Sequence, residues 1–471
     1  MQVFTYSSPR FSPYGDEDRS EASDSPVEPG GWRAPRATSP LDARVNLPGS
    51  KSLTNRELVL AALADGTSVL RRPLFSRDSM LMIDALASLG VSIERVDGDG
   101  AFGPDLRITP PADLTGSTTI DCGLAGTVMR FLPPLAALAL GPVAFDGDES
   151  ARRRPMRTTI EALRSLGVDV NDDGRGALPF SLWGAGAGSV RGGELSIDAS
   201  ASSQFVSGLL LAAPRFEQGL QLRHTGERLP SMPHIAMTIE SLRRRGVEVT
   251  SPEPGVWIVE PGPIAATETV IEPDLSNAAP FLVAALVAGG TVAIEDWPET
   301  TTQVGADLEH LLPRFGARVH REAGALVVDG GLGLCGGRAV PGVDLDLTTG
   351  GELAPALVAL AALADAPSTI DGIGHLRGHE TDRLAALVAE ITALGGGAHE
   401  LDDGLALTPG ALHGGLWSTY EDHRMAMAGA IIGLAVDGVE IDDIGTTAKT
   451  LPQFPELWLG MLGAGSEVAA P

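Results

Sequence analysis

The chain has 471 residues, and its 61 Asp and Glu against 34 Lys and Arg give a formal net charge of −27. Nucleic acids and anionic membranes attract basic surfaces, so this balance argues against both as partners. Among the 34 cations only Lys51 and Lys449 are lysines, so these two positions are candidates for chemistry that arginine performs poorly.

Residues 1–40 contain 7 Ser and 6 Pro and show no apolar periodicity, a composition typical of disorder. This tail is either regulatory or an extension without a role. It lacks the basic-then-apolar pattern of a secretory signal. Later apolar stretches are interrupted by Pro and Gly before they could span a membrane. We therefore expect a cytoplasmic protein.

From residue 44 onward the sequence repeats with a period of about 75 residues. Each copy has an Ala- and Leu-rich helical run, a short strand, a second helical pattern ending in glycine and, in most copies, a hairpin signal. Glycine directly after a helix fits the left-handed C-cap conformation. The helical runs begin near Leu58, Phe131, Phe205, Phe281, Leu357 and Met425, and the glycines are Gly90, Gly167, Gly246, Gly316, Gly395 and Gly463.

These patterns predict six copies of a strand–helix–strand–helix–hairpin unit. The period exceeds that of solenoid repeats, so we expect the copies to form clusters of three within two α/β domains. The midpoint lies between the third and fourth copies, around residues 261–271. Helices beginning near Ser50 and near Leu275 or Leu357 would direct their positive dipole ends into the cleft between the domains.

The first motif with chemical potential is LPGSKSLTNR at residues 47–56. Pro-Gly-Ser ends an extended segment and starts a helix, which leaves backbone N–H groups free for an anion. Ser52 and Arg56 lie four residues apart on one helical face, close to Lys51. The segment lacks the glycine spacing of a Walker loop. It is therefore either an anion site or an ordinary helix start with surface cations.

Two further segments precede apolar helices. In CGLAGTVMR at residues 122–130 the small residues allow a ligand close to the backbone, and Cys122 is either a nucleophile or a small buried hydrophobic residue. The two cysteines of the chain are too few for a disulfide framework and lack metal-site spacing. In ASASSQ at residues 199–204 the hydroxyl and amide groups either hold phosphate oxygens or only cap the helix.

Charged side chains cluster in three later segments, RGHETDRL at 377–384, YEDHRM at 420–425 and TTAKT at 446–450. Arg383 follows Glu380 by three residues on one helical face, which is typical of a solvated salt-bridge surface but also of a charged site. Glu352 opens another apolar helix. Its carboxylate is either a first-turn residue favoured by the helix dipole or a general base.

Three of these segments taken together, PGSKS (48–52), RGHETDR (377–383) and DHRMAM (422–427), resemble the 5-enolpyruvylshikimate-3-phosphate (EPSP) synthase family over about residues 44–465. The resemblance implies a transferase of the shikimate pathway to chorismate and aromatic amino acids. It would move the enolpyruvyl (1-carboxyvinyl) group of phosphoenolpyruvate to the 5-hydroxyl of shikimate 3-phosphate and release phosphate. No metal or organic cofactor is implied, and we expect a monomer that binds these small anionic substrates.

The resemblance also implies the architecture: an α/β fold of two globular domains, each of three βαβαββ repeats around a pseudo-three-fold axis, with the active site in the cleft between them. The expected ranges are a disordered tail at 1–40, a domain of 41–50 with 271–465, a second domain of 51–270 and a flexible C-terminus at 466–471.

Carried over residue by residue, the resemblance implies two adjoining substrate sites. Glu352 matches the carboxylate that accepts a proton, while Lys51 and Glu380 share the acid roles. The expected shikimate 3-phosphate residues are Lys51, Ser52, Arg56, Ser202, Ser203, Gln204, Ser231, Glu352 and His379. The expected phosphoenolpyruvate residues are Lys51, Gly126, Arg154, Gln204, Arg383, Arg424 and Lys449.

The sequence departs from the family pattern at several of these places. Much of the family has Lys at the position of His379 and Asp at that of Glu352, while Leu124, His375 and His234 stand in place of Asn, Asn and Tyr. The nearest alternative enzyme is UDP-N-acetylglucosamine enolpyruvyl transferase, which relies on a loop cysteine. A different class of protein, a catalytically dead anion-binding protein, remains the other alternative.

Overall fold

The computed structural model describes residues 31–184 and 188–463. The α-helices in these ranges are α1 (Lys51–Ala62), α2 (Arg77–Ser88), α3 (Gly126–Ala136), α4 (Glu149–Arg152), α5 (Arg157–Ser165), α6 (Gln204–Ala212), α7 (Met232–Arg244), α8 (Leu275–Ala288), α9 (Leu308–Leu311), α10 (Ala354–Ala362), α11 (Arg383–Ala393), α12 (His423–Ala435) and α13 (Phe454–Met461). No helix in the described ranges is long and apolar enough to cross a membrane.

The strands in the same ranges are β1 (Trp32–Arg33), β2 (Leu41–Val45), β3 (Ser68–Arg71), β4 (Ser92–Val96), β5 (Asp105–Thr109), β6 (Thr118–Asp121), β7 (Val143–Asp146), β8 (Asp169–Asn171), β9 (Phe180–Trp183), β10 (Gly193–Ile197), β11 (Leu220–His224), β12 (Val249–Thr250), β13 (Val256–Val259), β14 (Glu268–Val270), β15 (Gly290–Ile294), β16 (Arg318–Glu322), β17 (Ala325–Gly331), β18 (Asp344–Asp346), β19 (Ser368–Asp371), β20 (Gly397–Glu400), β21 (Leu405–Thr408), β22 (Gly415–Trp417) and β23 (Val439–Ile441).

The Ala- and Leu-rich runs form the central helix of each repeat. Every residue of α3, α8 and α10 is buried, as expected for helices that are apolar on all sides. The sheets and the second helices of the repeats surround them. All six glycines predicted to end the second helices have φ between +73° and +93°. The predicted C-cap role of these glycines is therefore confirmed.

Five sheets share one strand order, in which a parallel pair is followed by an antiparallel hairpin, as in β6-β7-β9-β8. In each domain one sheet is completed by a strand from elsewhere in the chain. β14 pairs in parallel with β3, and β2 pairs in parallel with β15. Each set of three repeats is thereby closed on itself.

The sixth sheet differs from the prediction. Within the described residues no hairpin follows α13. Instead β1 pairs antiparallel with β23, and Ala34, 3% exposed, donates its N–H to Val439 O at 3.0 Å. The prediction that disorder extends to residue 40 is wrong for residues 31–40, because β23 leaves an open edge whose backbone groups need partners. Residues 1–30 and 466–471, also predicted to lack order, lie outside the described residues.

The buried apolar side chains form two large separate clusters. One contains residues from 34–47 and 275–461, and the other contains residues from 53–271. The chain passes between them twice, and the two passages are joined by Ser50 N–H to Glu272 O at 2.8 Å and Asp274 N–H to Pro48 O at 3.0 Å. These two cores support, as a proposal, the division into a domain of 41–50 with 271–465 and a domain of 51–270.

Gly208 controls the packing of α6 against α3. A Cβ atom at this position would lie 2.2 Å from the carbonyl oxygen of Arg130. We expect Gly208→Ala to lower the free energy of unfolding by about 1–3 kcal/mol, although alanine favours a helix by about 1 kcal/mol. The matched control is Gly460→Ala in α13, where no atom lies within 4 Å of the added Cβ. Urea unfolding of both variants checks this, and a Gly208→Ala protein as stable as the wild type would contradict it.

Candidate active site

The N-terminal ends of the central helices meet at one cleft between the two cores. Lys51, Gly126, Gln204 and His423 are the first residues of α1, α3, α6 and α12, and all four line this cleft. Ser276, the second residue of α8, lines it as well. Helix N-termini carry partial positive charge and free N–H groups. The fold therefore gathers an anion-binding environment from both domains.

Two buried arginines face the first residue of α3. Arg130 is 2% exposed and Arg154 is 8% exposed. A Cβ atom on Gly126 would lie 3.0 Å from Arg130 Nη1 and 3.1 Å from Arg154 Nη2, so only glycine leaves this space open. Burial, together with the charge of Arg154, lowers the pKa of Arg130. Two such close cations favour an anion between or beside them.

Not every N–H group of these two arginines has a hydrogen-bond acceptor among the described residues. Arg130 Nη1 donates to Gln204 Oε1 at 3.3 Å, and Arg154 Nη1 donates to Leu124 O at 3.2 Å. The Nε atoms of both guanidinium groups are buried and have no hydrogen-bond partner among the described residues. Buried polar groups are normally satisfied. A carboxylate or phosphate bound at Gly126 would instead meet the Nη groups of both arginines.

A buried ionic chain lies beside the arginine pair. Lys449 Nζ contacts Glu380 Oε1, and Arg383 Nη2 donates to Glu380 Oε2 at 2.9 Å. Arg383 also binds Asp422 through two bonds of 2.7 and 3.1 Å. Burial alone would raise the pKa of Glu380, but Lys449, Arg383 and Arg154 hold it well below its usual range. In this state Glu380 is ionised, so it could donate a proton only after receiving one.

Lys51 is held from both domains at the start of α1. Its backbone N–H donates to Asp274 Oδ2 at 3.1 Å, and its Nζ donates to Asp78 Oδ2 at 3.4 Å. Asp78 is fully buried in the first turn of α2. The ammonium group therefore has one fixed acceptor, while 20% of the Lys51 side chain remains open to the cleft.

Glu352 lies in a short 3-10 turn, Gly351–Leu353, directly before α10. Its Oε1 accepts a hydrogen bond from Ser276 Oγ, and its Oε2 lies 3.0 Å from His234 Nε2 of the other domain. Burial would raise the pKa of Glu352, but His234, Arg424 and Ser276 outweigh this effect and hold the pKa well below its usual range. The carboxylate is thus ionised and oriented at both oxygens.

His379 lies at the position where the resemblance led us to expect lysine. Its Nδ1 lies 3.3 Å from Arg383 Nη1. Burial and the charge of Arg383 place its pKa well below the usual value for histidine. At neutral pH this position therefore supplies a neutral imidazole.

Most of the residues predicted from the sequence line the cleft. They are Lys51, Ser52, Gly126, Arg154, Ser202, Gln204, Glu352, His379, Glu380, Arg383 and Arg424. Four do not line it. Arg56 lies behind the cleft, where it is 1% exposed and bonded to protein atoms. Ser203 is 3% exposed. Lys449 lies behind Glu380, with which it forms an ion pair. Ser231 precedes α7 with a left-handed φ of 53°.

Sequence reasoning missed Arg130, Asp78 and Ser276. Each reads in sequence as an ordinary residue of a helix, because only tertiary contacts bring Arg130 and Ser276 to the cleft and place Asp78 against Lys51. The nucleophile considered at Cys122 is not supported. Its thiol is fully buried, and burial raises its pKa, which disfavours the reactive thiolate.

Comparison with known proteins identifies the family. Residues 35–458 match the model of the EPSP synthase (3-phosphoshikimate 1-carboxyvinyltransferase) family. The chain is 56% identical over 438 residues to a 3-phosphoshikimate 1-carboxyvinyltransferase of Kocuria rhizophila, covering 92% of this chain and 97% of that protein.

Solved structures show the fold. A 2.37 Å structure of EPSP synthase from Acinetobacter baumannii matches with a TM-score of 0.73 at 24% identity, over 90% of this chain and 96% of that one. The enolpyruvyl transferase NikO from Streptomyces tendae matches with a TM-score of 0.69 at 17% identity, with the same coverage. The predicted two-domain α/β fold is confirmed. The chain therefore belongs to the EPSP synthase family and is a transferase of enolpyruvyl groups in the shikimate pathway.

Proposed function

We propose that the cleft described above binds shikimate 3-phosphate and phosphoenolpyruvate together and joins them, with release of phosphate. The observation that carries this proposal is the pair of buried arginines, Arg130 and Arg154, whose Nη groups adjoin the open space at Gly126 in the wall of the cleft. Both substrates are multiply anionic, and the cleft offers cations and helix N-termini from both domains.

Phosphoenolpyruvate would occupy the side of the cleft formed by Gly126, Arg154, Arg383 and Arg424, with Lys449 behind it in an ion pair with Glu380. The guanidinium groups suit its carboxylate and phosphate because they donate two parallel hydrogen bonds. Arg424 already donates to the backbone oxygen of Ser276 at 2.9 Å, which fixes its direction. Lys51 would bridge the two substrates as a compact charge.

Shikimate 3-phosphate would occupy the side formed by the helix starts at Ser52, Ser202 and Gln204, with His379 and Glu352 at its ring. Ser203 and Ser231 would need to turn toward the ligand. Arg56 would act indirectly, because its guanidinium is bonded to Thr238 Oγ1 at 2.8 Å and His234 O at 2.9 Å.

The reaction would proceed in two steps. In the first, the methylene carbon of phosphoenolpyruvate gains a proton, and the 5-oxygen of shikimate 3-phosphate, losing its proton to Glu352, bonds to the neighbouring carbon. In the second, the bond from that carbon to the phosphate oxygen breaks, phosphate leaves with its electron pair, and the methyl group loses a proton to a carboxylate of the cleft, for which ionised Glu380 is the candidate. Lys51 would protonate the methylene carbon, and Glu380, which is ionised in this structure, would act as an acid only after taking up the proton that the methyl group loses. Closure of the domains would exclude water.

As a proton donor, lysine is better suited than arginine. Burial lowers the pKa of Lys449 although Glu380 opposes this, and a lowered pKa makes an ammonium a better proton donor.

We further propose that the protein works in the cytoplasm as a monomer, since both halves of the cleft come from one chain.

A phosphate-release assay with phosphoenolpyruvate and alternative acceptors tests the function. We expect release with shikimate 3-phosphate and none with UDP-N-acetylglucosamine or without an acceptor. Release that depends on the nucleotide sugar would identify the alternative transferase. Saturable binding of both substrates without release would identify a catalytically dead binding protein.

A further inference from the structure

His234 reaches Glu352 from the opposite side of the cleft. It is the third residue of α7, in the domain of 51–270, whereas Glu352 packs on the other core. Its Nε2 lies 3.0 Å from Glu352 Oε2, and the two side chains are 17% and 21% exposed. The proposed base is therefore completed by a residue from the second domain.

The backbone of His234 is fixed from three directions. Its carbonyl oxygen accepts hydrogen bonds from Arg56 Nη2 at 2.9 Å, Thr238 Oγ1 at 3.0 Å and Ser207 Oγ at 3.5 Å. Arg56 is itself 1% exposed and packs over Phe131. This support holds the start of α7 in place, so the imidazole approaches Glu352 from a defined direction.

The other groups around this pair are charged or titratable. Arg424 on α12 and Arg56 on α1 are cations close to Glu352. Ser276 donates a hydrogen bond to Oε1, the carboxylate oxygen that His234 does not contact. His375 on the neighbouring turn lies next to the backbone of Gly351. Burial lowers the pKa of His375, so it contributes a neutral ring at neutral pH.

A histidine bonded to a carboxylate can share a proton with it. In hydrolase triads the carboxylate orients the imidazole and stabilises the imidazolium form. Histidine is also the side chain that ordinarily changes its charge between about pH 5 and 8, which neither glutamate nor tyrosine does.

We propose that His234 is a positioning residue for Glu352, holding its carboxylate from across the cleft and sharing the proton that leaves the 5-hydroxyl. The proposal rests on the proposed function. In the step itself the O–H bond of the 5-hydroxyl breaks, the new C–O bond forms, and the proton passes to the His234–Glu352 pair. The pair returns it to solvent after the product leaves.

The test compares His234→Gln and His234→Ala with the wild type in the phosphate-release assay across pH 5 to 9. Glutamine can still donate a hydrogen bond to Glu352 but cannot take up a proton. We expect His234→Ala to lower kcat by about 10- to 100-fold with little change in KM. His234→Gln should keep more of kcat than His234→Ala, but its rate should vary less between pH 5 and 9 than the wild-type rate, because glutamine cannot take up a proton. His320→Gln, on exposed strand β16, serves as the control and should match the wild type.

Two results would separate the possible failures. A wild type without phosphate release would overturn the proposed function, and this inference with it. An active wild type whose kcat and pH profile are reproduced by both His234 variants would overturn the inference alone. A loss that appears only in KM would also overturn it, since a role in binding does not require proton sharing. Folding of each variant is verified by its circular dichroism spectrum and urea midpoint.

Discussion

Replacement of Glu352 by glutamine is expected to lower kcat by about 10²- to 10⁴-fold while both substrates still bind. Glutamine keeps the size of the side chain and can still accept a hydrogen bond from Ser276. It cannot take the proton of the 5-hydroxyl, so attack on phosphoenolpyruvate would lose its base. Single-turnover phosphate release measures the chemical step, and calorimetric titration with shikimate 3-phosphate measures binding.

A matched control tests whether the loss of turnover is specific to Glu352 or follows the loss of any partly buried carboxylate. Glu309 accepts hydrogen bonds from Trp297 Nε1 at 2.8 Å and Arg321 Nε at 2.9 Å, and it does not line the cleft. Glu309→Gln should therefore turn over at the wild-type rate. Near-normal turnover by Glu352→Gln would show that another group is the base.

The repeat architecture could be predicted because its signals are local. A glycine in a left-handed C-cap and an all-apolar central helix are properties of short segments, and they recur at a near-constant interval. Strand β1 could not be predicted in this way. Two residues, Trp32 and Arg33, form a strand only because β23, some 400 residues later, leaves an edge open.

The site could be predicted where it lies on helix starts. Lys51, Gly126 and Gln204 belong to segments in which small or hydroxyl-bearing residues precede an apolar helix. Arg130 and His234 could not be predicted, because their roles depend on contacts between segments distant in the chain. Arg56 shows the reverse case. Its position matches a ligand contact, yet packing directs its guanidinium to the backbone of α7.

Glu380→Gln is expected to lower the stability of the protein more than any surface charge change. Glu380 is the carboxylate that Lys449, Arg383 and, at 4.0 Å, Arg154 all face, and these four side chains are less than 10% exposed. Removing its charge leaves the buried cations without sufficient negative charge, since among the described residues only Arg383 forms an ion pair with a second acid, Asp422. Loss of one partner of a buried ion pair typically costs about 3–5 kcal/mol. Urea unfolding of the substrate-free protein measures this loss.

The negative charge missing from Glu380→Gln also predicts a response to added anions, which an ordinary packing defect would not produce. Phosphate or phosphoenolpyruvate would supply the missing negative charge, so either anion should raise the urea midpoint of Glu380→Gln more than that of the wild type. Glu149→Gln, which removes an exposed partner of Arg153, should leave both the midpoint and its response to anions unchanged. Equal stabilisation of Glu380→Gln and wild type by phosphoenolpyruvate would mean that Lys449 and Arg383 do not face the bound anion. The phosphoenolpyruvate side of the cleft would then have to be assigned to other cations.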